Sequence, residues 1–391
     1  MMKSLAKKRP LLTVSLVELR KCYQVLIINL FILLAVLLSN NASAQVDLNN
    51  LRNNWIQIDV TRLDGSKILA VPHVKDIFHS LKIDDNKLYF NSSPVSPRKA
   101  FEIPYKLLGH TIITSEFAGY EIQILSKDSL IYSEKFKDQD DPEKLKKFTF
   151  VRSGLLDESF NRRYADSLEI RANKFFTPRL KSSIELPIMK RIKSDNNLYT
   201  TNFLGEITIY PKKKLVTTEF KEKPHSNQEL MNSITSIINK SFADWDLEGF
   251  KKYDAIRIPF AFNSEISKTY EGINIFFFCE DKKKIKSYFG IPPQQQREEN
   301  RLFDEGIQAY QQKEYDLAIN LFKKCFDLSK INVDALYNMV AIYNETGQTE
   351  KAIEILNQLI ELGQVRAQKF LRENIANSSL ESHSVEQRPI K

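Results

Sequence analysis

Chemistry-bearing signatures are what this sequence has least of. It contains no Gly-x-Ser-x-Gly elbow, no phosphate-cradling glycine loop, no His-Glu-x-x-His and no Cys-x-x-Cys, the patterns that assemble a nucleophile, an anion cradle or a metal site by spacing alone. Its five histidines are scattered. His73 and His79, with Asp76 between them, read as surface or turn residues, because a metal site would need a further ligand supplied by the fold. Asp84-Asp85-Asn86 lacks the spaced oxygens and terminal Glu of a calcium loop and reads as a hairpin turn. No catalytic residue, cofactor-binding residue or metal ligand is assigned. An unrecognised hydrolase assembled from distant residues is the remaining enzyme reading.

Cysteine is equally sparse, at three residues. Cys22 precedes the first long apolar run, so it cannot carry the lipid of a lipoprotein. Cys279 lies in a strand-like apolar stretch and Cys325 on the inner side of a helix, which predicts two separate buried thiols rather than a bridge. One-signed charge is scarce as well. Of the net charge of +8, +5 sits in the first 44 residues, and the other 347 carry +3 spread over 51 basic and 48 acidic side chains. That balance gives no footprint for nucleic acid. What the chain does have is 42% apolar and 11% aromatic residues, enough for two or three hydrophobic cores.

Residues 25–38 are apolar except for Asn29 and follow Arg20 and Lys21; Ala42-Ser43-Ala44 then supplies a small-x-small cleavage pattern. This predicts an export signal at 1–44, cut after Ala44. The run is shorter than the roughly 20 apolar residues that span a bilayer, so no permanent membrane span is expected after cleavage. An uncleaved signal anchor is the alternative. The expected location is the periplasm or the exterior.

From residue 51 to about 150 the sequence alternates short strand-like runs with turn formers. Period-two alternation is clearest at Trp55-Ile56-Gln57-Ile58-Asp59-Val60 and at Tyr120-Glu121-Ile122-Gln123-Ile124, which predicts antiparallel strands in a small barrel or meander over 45–154. With Trp55 as an early tryptophan closing the barrel bottom, the region resembles lipocalin-like domains, although no Gly precedes that Trp. The resemblance implies carriage of a small apolar ligand. A barrel filled by its own side chains is the alternative. Residues 155–175 then carry Leu156, Phe160, Tyr164, Leu168 and Phe175 at helical spacing, and 155–197 reads as a helical linker.

Over 198–290 the order is strand (Gly205 to Tyr210), strand (Leu215 to Phe220), helix (Asn227 to Phe242), Trp245, a Gly249 turn, and a strand ending Ile258-Pro259-Phe260-Ala261-Phe262. Gly205, Trp245, Gly249 and that Ile-Pro-Phe-Ala-Phe run resemble the C-terminal domain of the TonB energy-transducer family. The resemblance implies an α+β domain that pairs a partner's segment with a sheet edge, making Ile258, Pro259 and Phe260 a candidate strand-addition edge. Pro259 cannot donate to a ladder, which marks an edge or a bulge. Residues 271–280, too apolar to lie bare, are expected to cover it. The chain also lacks a Pro-rich spacer, and Trp245-Asp246 replaces the family's Trp-Lys/Arg-Pro. A soluble relative is therefore expected rather than a transducer.

Beyond Ile291-Pro292-Pro293 the period becomes helical. A shift of 34 residues places Leu302 on Leu336, Ala318 on Ala352, Ile319 on Ile353 and Leu328 on Leu362. This resembles the tetratricopeptide repeat family, with small residues at Gly306, Ala318 and Ala352 letting helices approach and Lys313-Glu314 standing where Gly347 stands one repeat later. The repeats and a capping helix occupy 299–375, and a polar tail, predicted disordered, occupies 376–391. The resemblance implies a concave groove for a peptide, with Gln308, Asn338 and Asn344 as candidate contacts.

The sequence thus predicts an α+β multidomain protein: an antiparallel β domain, a TonB-like α+β domain and tetratricopeptide α-α repeats. Its expected role is non-enzymatic, needing no cofactor and no nucleic acid, with a protein or peptide partner in the bacterial cell envelope. The rival is a structural envelope protein whose repeats only brace the fold.

Overall fold

The structure is a computed structural model of the 391-residue chain and describes residues 47–69, 78–96, 101–194, 200–221, 228–266 and 271–373. The predicted export signal, His73, Asp76, Asn227 and the predicted tail lie outside the described residues.

A short helix, α1 (Leu48–Leu51), leads into nine strands: β1 (Asn54–Arg62), β2 (Ser80–Ile83), β3 (Lys87–Asn91), β4 (Phe101–Pro104), β5 (Lys106–Leu108), β6 (Thr111–Ile113), β7 (Ala118–Leu125), β8 (Ser129–Phe136) and β9 (Lys146–Arg152). Among the described residues they form one antiparallel sheet in the order β4-β3-β2-β1-β9-β8-β7-β6-β5. The outermost strands, β4 and β5, are consecutive, with Tyr105 alone between them, so the sheet curls until its edges share a corner and the barrel is nearly closed.

Pro104 ends β4, since its ring fixes φ and removes a donor. Tyr105 pins the corner, its N–H donating to Asn86 O at 2.9 Å and its hydroxyl to Asp84 O at 2.8 Å. Bulges in β1 and β7 add the bend that closure requires. Cross-strand register sets Leu130 and Tyr132 of β8 beside Phe150 and Phe148 of β9, and Tyr120, Tyr132, Phe148 and Phe150 form a continuous aromatic cluster. Trp55 is fully buried, and its indole N–H reaches Leu51 O on α1 at 3.0 Å.

The expected strand-strand-helix-strand unit is present as β12 (Thr201–Tyr210), β13 (Leu215–Phe220), α4 (Gln228–Asn239) and β15 (Ala255–Ile266). It begins earlier in the chain than the pattern suggested. After α2 (Ser153–Arg163) the helix stops, and β10 (Glu169–Arg171) pairs in parallel with Ala255-Ile256-Arg257; β11 (Arg179–Leu180), which pairs with β14 (Trp245–Asp246), and α3 (Glu185–Ser194) follow.

A helix continued to residue 175 is not formed. Ile170, between charged neighbours, is buried by strand pairing, whereas Leu168 stays 62% exposed. Phe160, Tyr164 and Phe176 instead stack with ring centroids 5.3 to 6.3 Å apart. The supposed linker is therefore part of the middle core: Ile170, Phe176, Leu180, Ile188 and Ile192 pack with Ile207, Ile234, Ile258 and Phe260.

The sheet order is β10-β15-β12-β13, with β16 (Glu271–Phe277) also on β15. Ile258, Pro259 and Phe260 consequently lie in an interior strand, with β12 on one side and β10 then β16 on the other. That corrects the strand-addition edge: the chain covers it itself. The missing N–H of Pro259 points to the side where its carbonyl accepts from Phe278 N–H at 2.7 Å, between the last β10 pair and the first β16 pair. Proline is tolerated there because no ladder donor is needed at the changeover.

Five helices complete the described chain: α5 (Pro293–Gln311), α6 (Tyr315–Ser329), α7 (Val333–Glu345), α8 (Thr349–Glu361) and α9 (365–373). Leu302, Ala318, Phe322, Leu336, Ala352 and Leu356 form their shared core. The turns also repeat. Lys313 and Gly347, 34 apart, both take the left-handed conformation, at φ 63° and 70°.

Candidate protein-binding surface of the helical array

Helix pairing in the array depends on close approach. A Cβ on Gly306 would lie 2.7 Å from the Phe322 ring, so only glycine admits α6 this near to α5. The next contact is polar. Tyr310 and Tyr315 both donate their phenols to the Glu345 carboxylate, at 2.8 and 2.6 Å. These two hydrogen bonds, led by that from Tyr315, hold the Glu345 carboxyl below the usual Glu range, and the same bond raises each tyrosine.

Gln308 on α5 and Asn344 at the end of α7 are exposed, while Asn338 is half-buried and donates its amide to Asp334 O at 2.8 Å within its own helix. The three do not form one row. At about 100° per residue, Asn338 and Asn344 project from α7 in directions about 120° apart. The 34-residue shift places Gln308 on Ile342, which is buried, and Asn338 on Asp304. What the sequence pattern missed is a groove of about 530 Å³ between α6 and α8 over α7, floored by Ile319, Phe326, Met339 and Tyr343 and rimmed by Lys323 and Glu354. Its apolar residues belong to amphipathic helices whose far side is core, so no local signal separates floor from filler.

The C-terminal end of the array is joined to the barrel. Lys67 N–H donates to Gly363 O at 3.0 Å, the Gln364 amide to Lys67 O at 3.0 Å, and Val365 N–H to Ser66 Oγ at 2.9 Å. Arg366 pairs with Glu143 at 2.8 Å. Tyr337 lies at the same junction: burial first, and the Glu143 charge second, push its phenol up to about 12. Gly363 is required at this corner, with φ 79° and a hypothetical Cβ only 2.6 Å from the Lys67 side chain.

Cys279 and Cys325 are free thiols buried in different clusters. Burial raises both, Cys325 to about 12 with help from the Glu299 charge, which leaves neither a nucleophile near neutral pH.

Residues 309–372 match the tetratricopeptide repeat family. The match falls within the 299–375 span identified by periodicity and suggests protein–protein interaction for this part of the chain. No curated protein and no solved structure matches the chain. Among the described residues no helix is long and apolar enough to cross a membrane.

Proposed function

We propose that this is an exported, non-enzymatic protein of the bacterial cell envelope whose helical array docks a protein or peptide partner. One observation carries the reading: the array is tied to the barrel at its Gly363 corner, while a groove of about 530 Å³ floored by Ile319, Phe326, Met339 and Tyr343 runs over α7. A platform held at one end and free along its face suits capture of a partner segment. Export is supported by the apolar run at 25–38 followed by Ala42-Ser43-Ala44. Relationship of the middle domain to the TonB C-terminal family is supported by its strand-strand-helix-strand order with Trp245 and Gly249 in place, but partner pairing at Pro259 is not part of the proposal. Carriage of a ligand inside the barrel is disfavoured by the aromatic cluster around Tyr132.

The test is crosslinking in intact envelopes. A recurrent crosslinked partner should be lost from the double variant Lys323→Ala/Glu354→Ala on the groove rim, with the fold retained by circular dichroism. An unchanged partner profile would reject the docking reading. The corner contacts favour a second reading, in which the repeats brace the barrel. That reading predicts a lower barrel unfolding midpoint when the corner is disrupted, with no partner at all.

A further inference from the structure

The groove over α7 has two helical walls, α6 and α8, and a helical floor. Helices bond their own backbones, so neither wall offers a free row of N–H and C=O groups to a strand. An extended segment laid here would leave its backbone groups unpaired against apolar side chains, whereas a helix satisfies its own. The floor suits one. Leu336, Met339 and Tyr343 follow one another on α7 at helical spacing, and Ile319, Tyr343 and Ile355 are only half-buried. From Leu336 to Tyr343 is about 10 Å, or two turns.

The rim charges have a polarity. At the Tyr343 end, Asp316 of α6 and Glu354 of α8 stand on opposite walls. Burial first, then the Glu354 and Asp316 charges, raise the Tyr343 phenol, so both carboxylates are felt at one place. Lys351 lies over the Tyr343 ring at 5.6 Å, but its amine is held by Gln348 Oε1 at 2.7 Å. Two turns further along α6 stands Lys323, while Asp327 beyond it is taken by Lys330. The short turn at 330–332 makes α6 and α7 antiparallel, which sets Lys323 toward the Leu336 end. Among the described residues, Asp316, Lys323 and Glu354 have no hydrogen-bond or ion-pair partner.

We infer that the partner docked in this groove is an amphipathic helix running antiparallel to α6. Its apolar stripe lies on Ile319, Met339 and Tyr343, an acid meets Lys323, and a base seven residues later meets Asp316 and Glu354. The inference rests on the docking reading and adds the chemistry of the partner. Seven residues return to one face of a helix and match the interval from Asp316 to Lys323. Acid before base also agrees with the partner's own macrodipole, which the reverse order would oppose.

Fluorescence anisotropy of the full chain with labelled alanine-based peptides of about 15 residues tests this. One peptide carries a leucine stripe with Glu seven residues before Arg, and a second exchanges the Glu and the Arg. The first should bind saturably and roughly fivefold tighter or more than the second, as two exposed charge pairs imply. Asp316→Lys/Lys323→Glu/Glu354→Lys should invert the preference. A central proline in the first peptide, or Ile319→Arg in the groove, should abolish binding. The inference is overturned if neither peptide saturates, if both bind equally, if the proline peptide binds as well as its parent, or if Ile319→Arg leaves binding intact. It is equally overturned if, without peptide, Ile319→Arg breaks up a dimer of this chain. Any of these results with the envelope crosslink still lost from Lys323→Ala/Glu354→Ala leaves the docking reading standing, whereas a crosslink that persists in that variant removes the reading itself.

Discussion

Replacing Gly306 with alanine is a sharp test of how the helical array is packed, because two effects of similar size oppose each other. In an ordinary helix interior the change gains about 1 kcal/mol of helix propensity. Here the new methyl carbon would stand 2.7, 2.9 and 3.1 Å from three atoms of the Phe322 ring. Phe322 is fully buried and meets Phe303 edge-on at 5.6 Å, so its ring has no room to swing aside. Overpacking of a filled core costs about 1–3 kcal/mol, and the cost should win by about 1 kcal/mol.

Urea unfolding followed by hydrogen exchange at α5 and α6 amides reads the loss locally, which matters in a chain with several cores. Gly306→Ala should lower protection there, and adding Phe322→Leu should restore part of it, with a coupling of about 1 kcal/mol or more. A Gly306→Ala protein as stable as the parent, with no coupling to position 322, would refute the close approach of α5 and α6.

Gly363→Ala and Gly347→Ala both place an L residue in left-handed backbone, at a cost of about 1–2 kcal/mol. Nothing lies within 4 Å of a Cβ at Gly347, whereas Gly363 faces Lys67. Only Gly363→Ala should therefore accelerate amide exchange at Lys67 and Val365, and equal effects would argue against a corner built around Gly363. Because the Glu345 carboxyl is held low, its contribution is present above the ordinary Glu range and lost as pH falls through its folded value. The unfolding midpoint of the array should thus drop in acid, and Glu345→Gln should flatten that slope; an identical slope in the variant would deny the tyrosine clamp. A thiol reagent at neutral pH should label neither Cys279 nor Cys325 in the native protein and both after unfolding, with no Cys279–Cys325 peptide in a non-reducing digest.

Much of the array was legible because a repeat must reuse its core: Leu302 and Leu336, and Ala318 and Ala352, are buried in the same roles one period apart. Most barrel strands were legible for a related reason, since one wet face forces alternation. The failures lie where partners are distant. Glu169-Ile170-Arg171 is a strand only because Ala255-Ile256-Arg257 lies beside it, and three residues carry too little pattern to announce that. Pro259 marked an edge or a bulge that residues 271–280 were expected to cover; β16 does pair with β15 there, and Pro259 sits at the point where one neighbour replaces another. Gln308, Asn338 and Asn344 share polarity but not one row, because the 34-residue shift puts Gln308 in register with a core isoleucine.

The docking account is tested most directly by a photo-crosslinking amino acid installed in living cells at Glu354, on the rim of the groove over α7, and, separately, at Lys324, an exposed position on α6 outside that groove. The account predicts a discrete adduct of one mass from position 354 and none from position 324. Absence of any adduct at 354, or the same adducts from both positions, would contradict it.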